Sequence, residues 1–239
     1  MKNGNAGESL LEKTLERIHP GSAGEDRGLF GESLPPTFSG PTQIPGLPSS
    51  MTGFILQGVL TKEECDELIQ SIPQEGIGFM GINEVKQLYR GRIVSRYVSF
   101  DEKFSKFMER RIRPFIPDTI DGMTYSGLSP EWRFLHYETG GHQDAHIDGR
   151  EKRGAVVSRL TLQMYLNDHG TEFEGGEMVF YDGNMDEKLR LLPKAGDCCI
   201  FYQESMRDSR DLYLVHEAHK VTAGHKFAAR TVIEYSSSK

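Results

Sequence analysis

Residues 142–148 read HQDAHID and hold two His-x-Asp pairs, His142 with Asp144 and His146 with Asp148. On an extended chain, residues two apart point the same way. A histidine nitrogen and an aspartate oxygen on one face can both reach a single metal ion. That is two-thirds of the 2-His-1-carboxylate set that leaves open positions on non-haem Fe(II). The spacing alone does not choose between the pairs, and a polar strand face near a turn is the plainer reading. A third ligand must come from elsewhere; His216, His219 and His225 stand close together further on. Lys226 and Arg230 follow, four apart on what reads as a strand, so they share a face. A fixed cation beside a metal suits a carboxylate-bearing co-substrate. Solvated residues on an edge strand are the alternative.

Such a constellation needs a β scaffold, and the chain after residue 130 provides one. Strands are expected at 131–137, 145–148, 158–166, 176–181, 189–193, 197–202, 212–221 and 226–235. Turn signals such as Gly140-Gly141, Asn167-Asp168, Gly175-Gly176 and Asp182-Gly183 separate them. So many short strands suggest a sandwich or jelly-roll barrel. Along 158–166, Leu160, Leu162, Met164 and Leu166 share one face, and Thr161, Gln163 and Tyr165 the other. The polar face either meets solvent or lines an internal site. Trp132 and Phe134 are expected in the core. Cys198 and Cys199 point to opposite faces of their strand, and the charged stretch 149–157 reads as a loop beside the His-x-Asp segment.

Helices are expected upstream. Thr61 and Glu64 form a capping box ahead of Cys65, Leu68, Ile69 and Ile72 on one helical face. Phe104, Phe107, Met108 and Ile112 stripe a second helix that stops before Pro114. Lys103, Lys106, Arg110, Arg111 and Arg113 are its expected polar surface. Strands are expected at 52–60 and 92–100, the latter carrying Arg92 and Arg96 with the same parity. Because the helices come first, they should support one outer face of the sheets. Residues 1–50 hold 8 of the 26 glycines and 6 of the 11 prolines. Such a segment buries little apolar surface, so a flexible extension is expected ahead of a domain spanning 51–239. Within it, Ser9 and Glu12 could cap a short helix bearing Leu11, Leu15 and Ile18.

Composition narrows the function classes. There are 28 Lys and Arg against 35 Asp and Glu, a net charge of −7. This argues against a broad grip on nucleic acid. No apolar run approaches the roughly 18 residues of a membrane span, and no apolar signal core opens the chain. Three cysteines, two of them adjacent, make neither a disulfide framework nor a zinc finger. A cytoplasmic, or nuclear, location is expected.

Residues 131–235 resemble the catalytic core of the Fe(II)/2-oxoglutarate-dependent dioxygenases, most closely the prolyl 4-hydroxylase-like branch. HYETGGHQDAHID (136–148) resembles the strand that delivers the His-x-Asp pair, with a tyrosine nine residues before the ligand histidine. SRLTLQMYLND (158–168), FEGGEMVFY (173–181) and LLPKAGDCCIF (191–201) resemble the next three blocks in order. HEAHKVTAGHKFAARTVIEY (216–235) resembles the strand of the distal histidine, with a lysine ten residues on. The resemblance implies a mainly β double-stranded β-helix (jelly roll), supported by N-terminal helices, with a catalytic core at 131–235. It implies His146, Asp148 and His216 as metal ligands. Lys226, ahead of Arg230, would hold the far carboxylate of 2-oxoglutarate, with Tyr137 and Thr161 as hydrogen-bond partners and Gln163 nearby. Arg92 and Arg96 are candidates for the substrate entrance. The implied cofactors are Fe(II), 2-oxoglutarate and O2, with ascorbate as a candidate reductant. The implied reaction hydroxylates an unactivated C–H bond of a protein side chain or small molecule, releasing succinate and CO2. The rivals are a metal- and 2-oxoglutarate-binding sensor without turnover, a Zn(II) hydrolase using the same triad, and, within the class, a nucleic-acid demethylase.

Overall fold

The computed structural model describes residues 33–47, 52–203 and 214–237. The expected cap at Ser9 and Glu12 lies outside the described residues. The chain runs through β1 (Ser39–Gln43), β2 (Gly53–Gln57), α1 (Lys62–Ser71), β3 (Phe79–Met80), α2 (Ile82–Leu88), β4 (Arg92–Ile93), β5 (Ser95–Phe100) and α3 (Glu102–Ile112). After a short 3-10 turn come β6 (Thr119–Ile120), β7 (Met123–Leu128), β8 (Glu131–Tyr137), β9 (His142–His146), β10 (Lys152–Arg153) and β11 (Val156–Tyr165). The last strands are β12 (Phe173–Gly175), β13 (Met178–Tyr181), β14 (Glu187–Leu191), β15 (Cys198–Tyr202), β16 (Val215–Ala218), β17 (Val221–Gly224) and β18 (Lys226–Ser236).

The large sheet runs β1-β2-β15-β11-β18-β8-β5-β3, with β6, β7 and β10 attached, and the small one runs β14-β13-β16-β9-β4. Contact between the Phe180 and Phe201 rings, 5.3 Å apart, joins the two inner faces. Residues of β11 are buried on both sides: Leu160, Leu162 and Met164 pack in the core, and Thr161, Gln163 and Tyr165 are covered as well. The polar face is therefore interior. Cys198 and Cys199 are both buried for the same reason.

Helix α1 starts at the expected capping box. Thr61 Oγ1 accepts from the Glu64 backbone at 3.2 Å, and Glu64 Oε2 accepts from the Thr61 backbone at 2.9 Å. Helix α3 buries Phe104, Phe107, Met108 and Ile112. It is tied to β8 by Trp132 Nε1, which donates to Ser105 Oγ at 2.8 Å. Arg111 departs from the expected polar surface. It is buried and forks onto Glu64, donating to Oε2 at 2.7 Å and Oε1 at 2.8 Å. Its partner comes from the other helix, which a reading of α3 alone does not see.

Other boundaries differ for identifiable reasons. The domain reaches further forward than residue 50: β1 pairs with β2, Ile44 is buried, and Leu34, Phe38 and Leu47 pack on the core. The strand expected at 145–148 runs instead from His142 to His146, because β4 pairs along it at Gln143 and His142. The expected strand 92–100 is broken at Val94, and 212–221 divides into β16 and β17. The stretch 149–157 holds the β10–β11 hairpin rather than an open loop. Among the described residues, no helix is long and apolar enough to cross a membrane.

Candidate active site

Strand register assembles the site between the sheets. His216 on β16 lies directly opposite His146 on β9, where facing side chains of an antiparallel pair meet. Asp148 follows just past the end of β9. His146 Nε2 is 3.5 Å from Asp148 Oδ1, and His216 Nε2 is 3.9 Å from Asp148 Oδ2. One ligand atom from each of the three lies within 4.8 Å of the other two. Backbone carbonyls orient both rings: His146 Nδ1 is 2.9 Å from Asp144 O, and His216 Nδ1 is 2.9 Å from Leu214 O. With Nδ1–H donating outward, His216 Nε2 keeps its lone pair for the cluster, and His146 Nε2 is freed for it once its contact with the Gln143 amide is given up.

The neighbouring pair does not join it. Asp144 is exposed, and His142 Nδ1 sits 3.0 Å from Gly140 O. A second group of three, His136, Glu138 and His225, meets at the surface, where His136 Nε2 and His225 Nδ1 lie 2.9 Å apart. The group of His146, Asp148 and His216 differs in opening into a cavity lined also by Tyr137, Lys226 and Arg230. His219 lies outside both groups, beside Glu217 and Glu177.

Electrostatics favour the charged aspartate and neutral histidine that a metal requires. Burial alone would raise the Asp148 pKa. The Arg230 charge, with hydrogen bonding and charge from the two histidines, overrides this and holds the carboxyl well below its usual range. Arg230 Nη2 is 3.0 Å from Asp148 Oδ2, and Thr161 Oγ1 donates to the same oxygen at 2.7 Å. Gln203 Nε2 in turn donates to Thr161 Oγ1 at 3.0 Å. Burial brings His216 down to about 4, against the pull of Asp148.

Lys226 occupies the far end. It lies across from Tyr137 in the β18–β8 register and is 2% exposed. Its Nζ donates to Gly176 O at 2.6 Å and stands 5.2 Å and 5.6 Å from the centres of the Tyr137 and Tyr165 rings. Gly176 has φ +67°, and a Cβ there would stand 3.0 Å from Val221 Cγ2 and 3.1 Å from Lys226 Cδ. A glycine thus lets the turn come close enough to offer its carbonyl. Among the described residues, no carboxylate forms an ion pair with Nζ. Burial lowers the Lys226 pKa to about 7, with Glu177 opposing. It also raises Tyr137 to about 12.

Two of the expected co-substrate contacts sit elsewhere. Four residues of strand, about 13 Å, separate Lys226 from Arg230. Arg230 and Thr161 both engage Asp148 rather than the Lys226 end. Gln163 lies opposite Arg230 and lines the cavity. Arg92 and Arg96 stand at its mouth. Gln143 and Gln203 escaped the reading of the sequence, which marks Gly176 only as a turn residue and Tyr165 only by its strand face. With its amide oxygen turned toward Arg92, Gln143 accepts from Nη2 at 2.7 Å and Nε at 3.0 Å, and it lies 2.5 Å from His146 Nε2. No local motif marks it; its place follows from pairing with both β4 and β16.

The residues present fit a metal and a dianion. Two imidazoles and one carboxylate suit Fe(II) with open positions. Among the described residues, the Tyr165 hydroxyl and Arg230 Nε are buried without a partner in the cavity that Lys226 also lines. A bound polar group would complete them.

Comparison with known proteins agrees. Residues 132–234 match the family described as the 2OG-Fe(II) oxygenase superfamily. The chain is 23% identical over 233 residues to the probable prolyl 4-hydroxylase 4 of Arabidopsis thaliana, covering 84% of this chain and 73% of that protein. The solved viral collagen prolyl hydroxylase of Paramecium Bursaria Chlorella virus-1 is similar in two forms. A truncated form gives a TM-score of 0.54 at 19% identity over 83% of this chain and 97% of the other. The 2OG complex gives 0.52 at 20% over 77% and 95%. This likeness establishes the jelly-roll fold. Through residues 132–234, the chain matches the 2OG-Fe(II) oxygenase superfamily. It is a 2-oxoglutarate-dependent dioxygenase that uses Fe(II), 2-oxoglutarate and O2.

Proposed function

We propose that the protein hydroxylates a C–H bond in the manner of a prolyl hydroxylase, on a peptide or small-molecule substrate. His146, Asp148 and His216 hold the iron, and Lys226 takes the far carboxylate of 2-oxoglutarate. The observation that carries this reading is one cavity joining a His-Asp-His cluster to a buried lysine that forms no ion pair among the described residues. When bound, the iron, 2-oxoglutarate and O2 would supply the oxidising chemistry, one oxygen atom ending in the succinate formed with CO2 and the other in the hydroxylated C–H bond.

The protein's own contribution is to bind and orient. Arg230 and Thr161 keep Asp148 ionised and fixed, and the Asp144 and Leu214 carbonyls fix the two imidazoles. Tyr137 and Tyr165 wall the cavity around Lys226. Gln163 lines the wall between, and Arg92 and Arg96 form the entrance. The relative's printed activity, prolyl 4-hydroxylation, supports proline as the target. The Zn(II) hydrolase rival does not account for Lys226. The free, buried Cys65, Cys198 and Cys199 suit a reducing compartment such as the cytoplasm.

The test is succinate formation from 2-oxoglutarate by the Fe(II)-loaded protein, screened against proline peptides. Turnover dependent on both iron and a proline substrate supports the reading. Iron binding with no 2-oxoglutarate consumption under any substrate contradicts it and favours the sensor.

A further inference from the structure

Five cationic side chains line the cavity and its mouth: Arg92, Arg96, Arg133, Lys226 and Arg230. Three have a counter-charge in the reading above. Arg133 pairs with Glu131 and Glu151, each at 2.7 Å. Arg230 pairs with Asp148, and Lys226 faces the far carboxylate of the co-substrate. Arg92 and Arg96 have only neutral contacts among the described residues. Arg92 meets the Gln143 amide oxygen. Arg96 Nη2 is 3.1 Å from Met80 Sδ and donates to the Tyr89 hydroxyl at 3.2 Å. Arg96 Nε is buried with no partner.

The Tyr89 ring holds both arginines in place, with guanidinium carbons 5.3 Å and 4.9 Å from its centre. Burial also lowers the Arg92 pKa, against Tyr137 and Asp148, so this guanidinium has lost water without gaining an ion pair among the described residues. Two guanidinium groups set side by side under an aromatic ring, with neutral acceptors, form an incomplete anion site. Their planar donor forks match a carboxylate.

We propose that Arg92 and Arg96, framed by Tyr89, bind a carboxylate of the prime substrate. The inference rests on the oxygenase reading above and names its substrate class. The Gln143 amide oxygen lies 2.7 Å from Arg92 Nη2 and 2.5 Å from His146 Nε2, so a carboxylate at Arg92 lies within three hydrogen-bond lengths, roughly 8 Å, of the ligand histidine. The reacting carbon is then a few bonds from that carboxylate. A free amino acid meets this condition, and so does a peptide with an acidic residue beside the target.

The test uses the full-length protein loaded with Zn(II), a redox-inert stand-in, and 2-oxoglutarate. Two isosteric pairs differ only in charge. The first is N-acetyl-L-proline against N-acetyl-L-prolinamide. The second is the acetylated, amidated dipeptides prolyl-aspartate and prolyl-asparagine. Binding is followed by NMR of the arginine Nε–H groups. The charged member of at least one pair binds ten or more times more tightly and shifts the Arg92 and Arg96 signals. The preference weakens with added salt and collapses in Arg92→Gln and Arg96→Gln. A preference in the first pair assigns a small acid; one confined to the second assigns an acidic peptide. Equal binding of charged and neutral members, binding of neither, or a preference that survives both substitutions overturns the proposal. Loss of 2-oxoglutarate binding in both variants without any acid preference would reassign the arginines to the co-substrate and overturn it too. If 2-oxoglutarate fails to bind the Zn(II)-loaded wild type, the oxygenase reading itself fails. If it binds and the pairs do not differ, the carboxylate subsite alone fails.

Discussion

Lys226→Met should make the ligand-free protein more stable while crippling co-substrate binding. An ordinary lysine titrates at 10.5, and burial brings Lys226 to about 7. At roughly 1.4 kcal/mol per pH unit, that gap is on the order of 5 kcal/mol of strain on the charged form. Between pH 7 and 10.5 the unfolded chain holds this proton more tightly than the folded one. Wild-type stability from this group therefore rises with pH across that window and is lowest below it. Methionine fills similar volume without charge. It gives up the hydrogen bond to Gly176 O, which offsets the gain by about 1–3 kcal/mol. The net expectation near pH 7 is about 2 kcal/mol of added stability, or about 4–8 °C in Tm. Thermal unfolding from pH 6 to 10 measures this, and the advantage should shrink as pH rises. The same variant should bind 2-oxoglutarate at least a hundred times more weakly, so the ligand no longer raises its Tm. A variant that is destabilised at every pH, or one that is still stabilised by 2-oxoglutarate, would refute the reasoning.

Three further outcomes follow from the same geometry. Thr161→Val removes a donor to Asp148 and an acceptor for Gln203; metal affinity should fall about 10–100-fold, read by competition with a chelator. Arg230→Met removes the charge that opposes burial at Asp148; the carboxyl pKa should rise, so metal release on acidification should begin at higher pH than in wild type. Arg111→Met leaves Glu64 buried without its bidentate partner; urea unfolding should show a loss of about 3–5 kcal/mol, with α1 and α3 both weakened.

Local features were legible where the chain supplies both halves of an interaction within a few residues. The Thr61–Glu64 box, the apolar stripe of α3 and the His-x-Asp spacing are of this kind. The choice of His146 over His142 rested on ordered resemblance, and in the structure it is register that sets them apart, since His146 faces His216 across the ladder. Interactions between distant segments left no mark in the sequence. Arg111 reads as a surface residue until Glu64, 47 positions away, is placed beside it. Thr161 reads as a co-substrate contact, and only the folded chain shows it donating a hydrogen bond to Asp148. β1 was hidden by the glycine and proline content around it, although its backbone needs only β2 as a partner. Gln143 and Gln203 carry no motif, and only the assembled cavity shows their place.

The central claim is that His146, Asp148 and His216 form the iron site of an oxygenase whose co-substrate reaches Lys226. The most direct measurement is anaerobic titration of the full-length protein with Fe(II) and then 2-oxoglutarate, following the visible charge-transfer band of the chelate, with His146→Ala and His142→Ala run alongside. The account predicts a band in wild type and His142→Ala that is lost in His146→Ala. A band that survives His146→Ala, or no band in a wild type that binds another metal tightly, would contradict it.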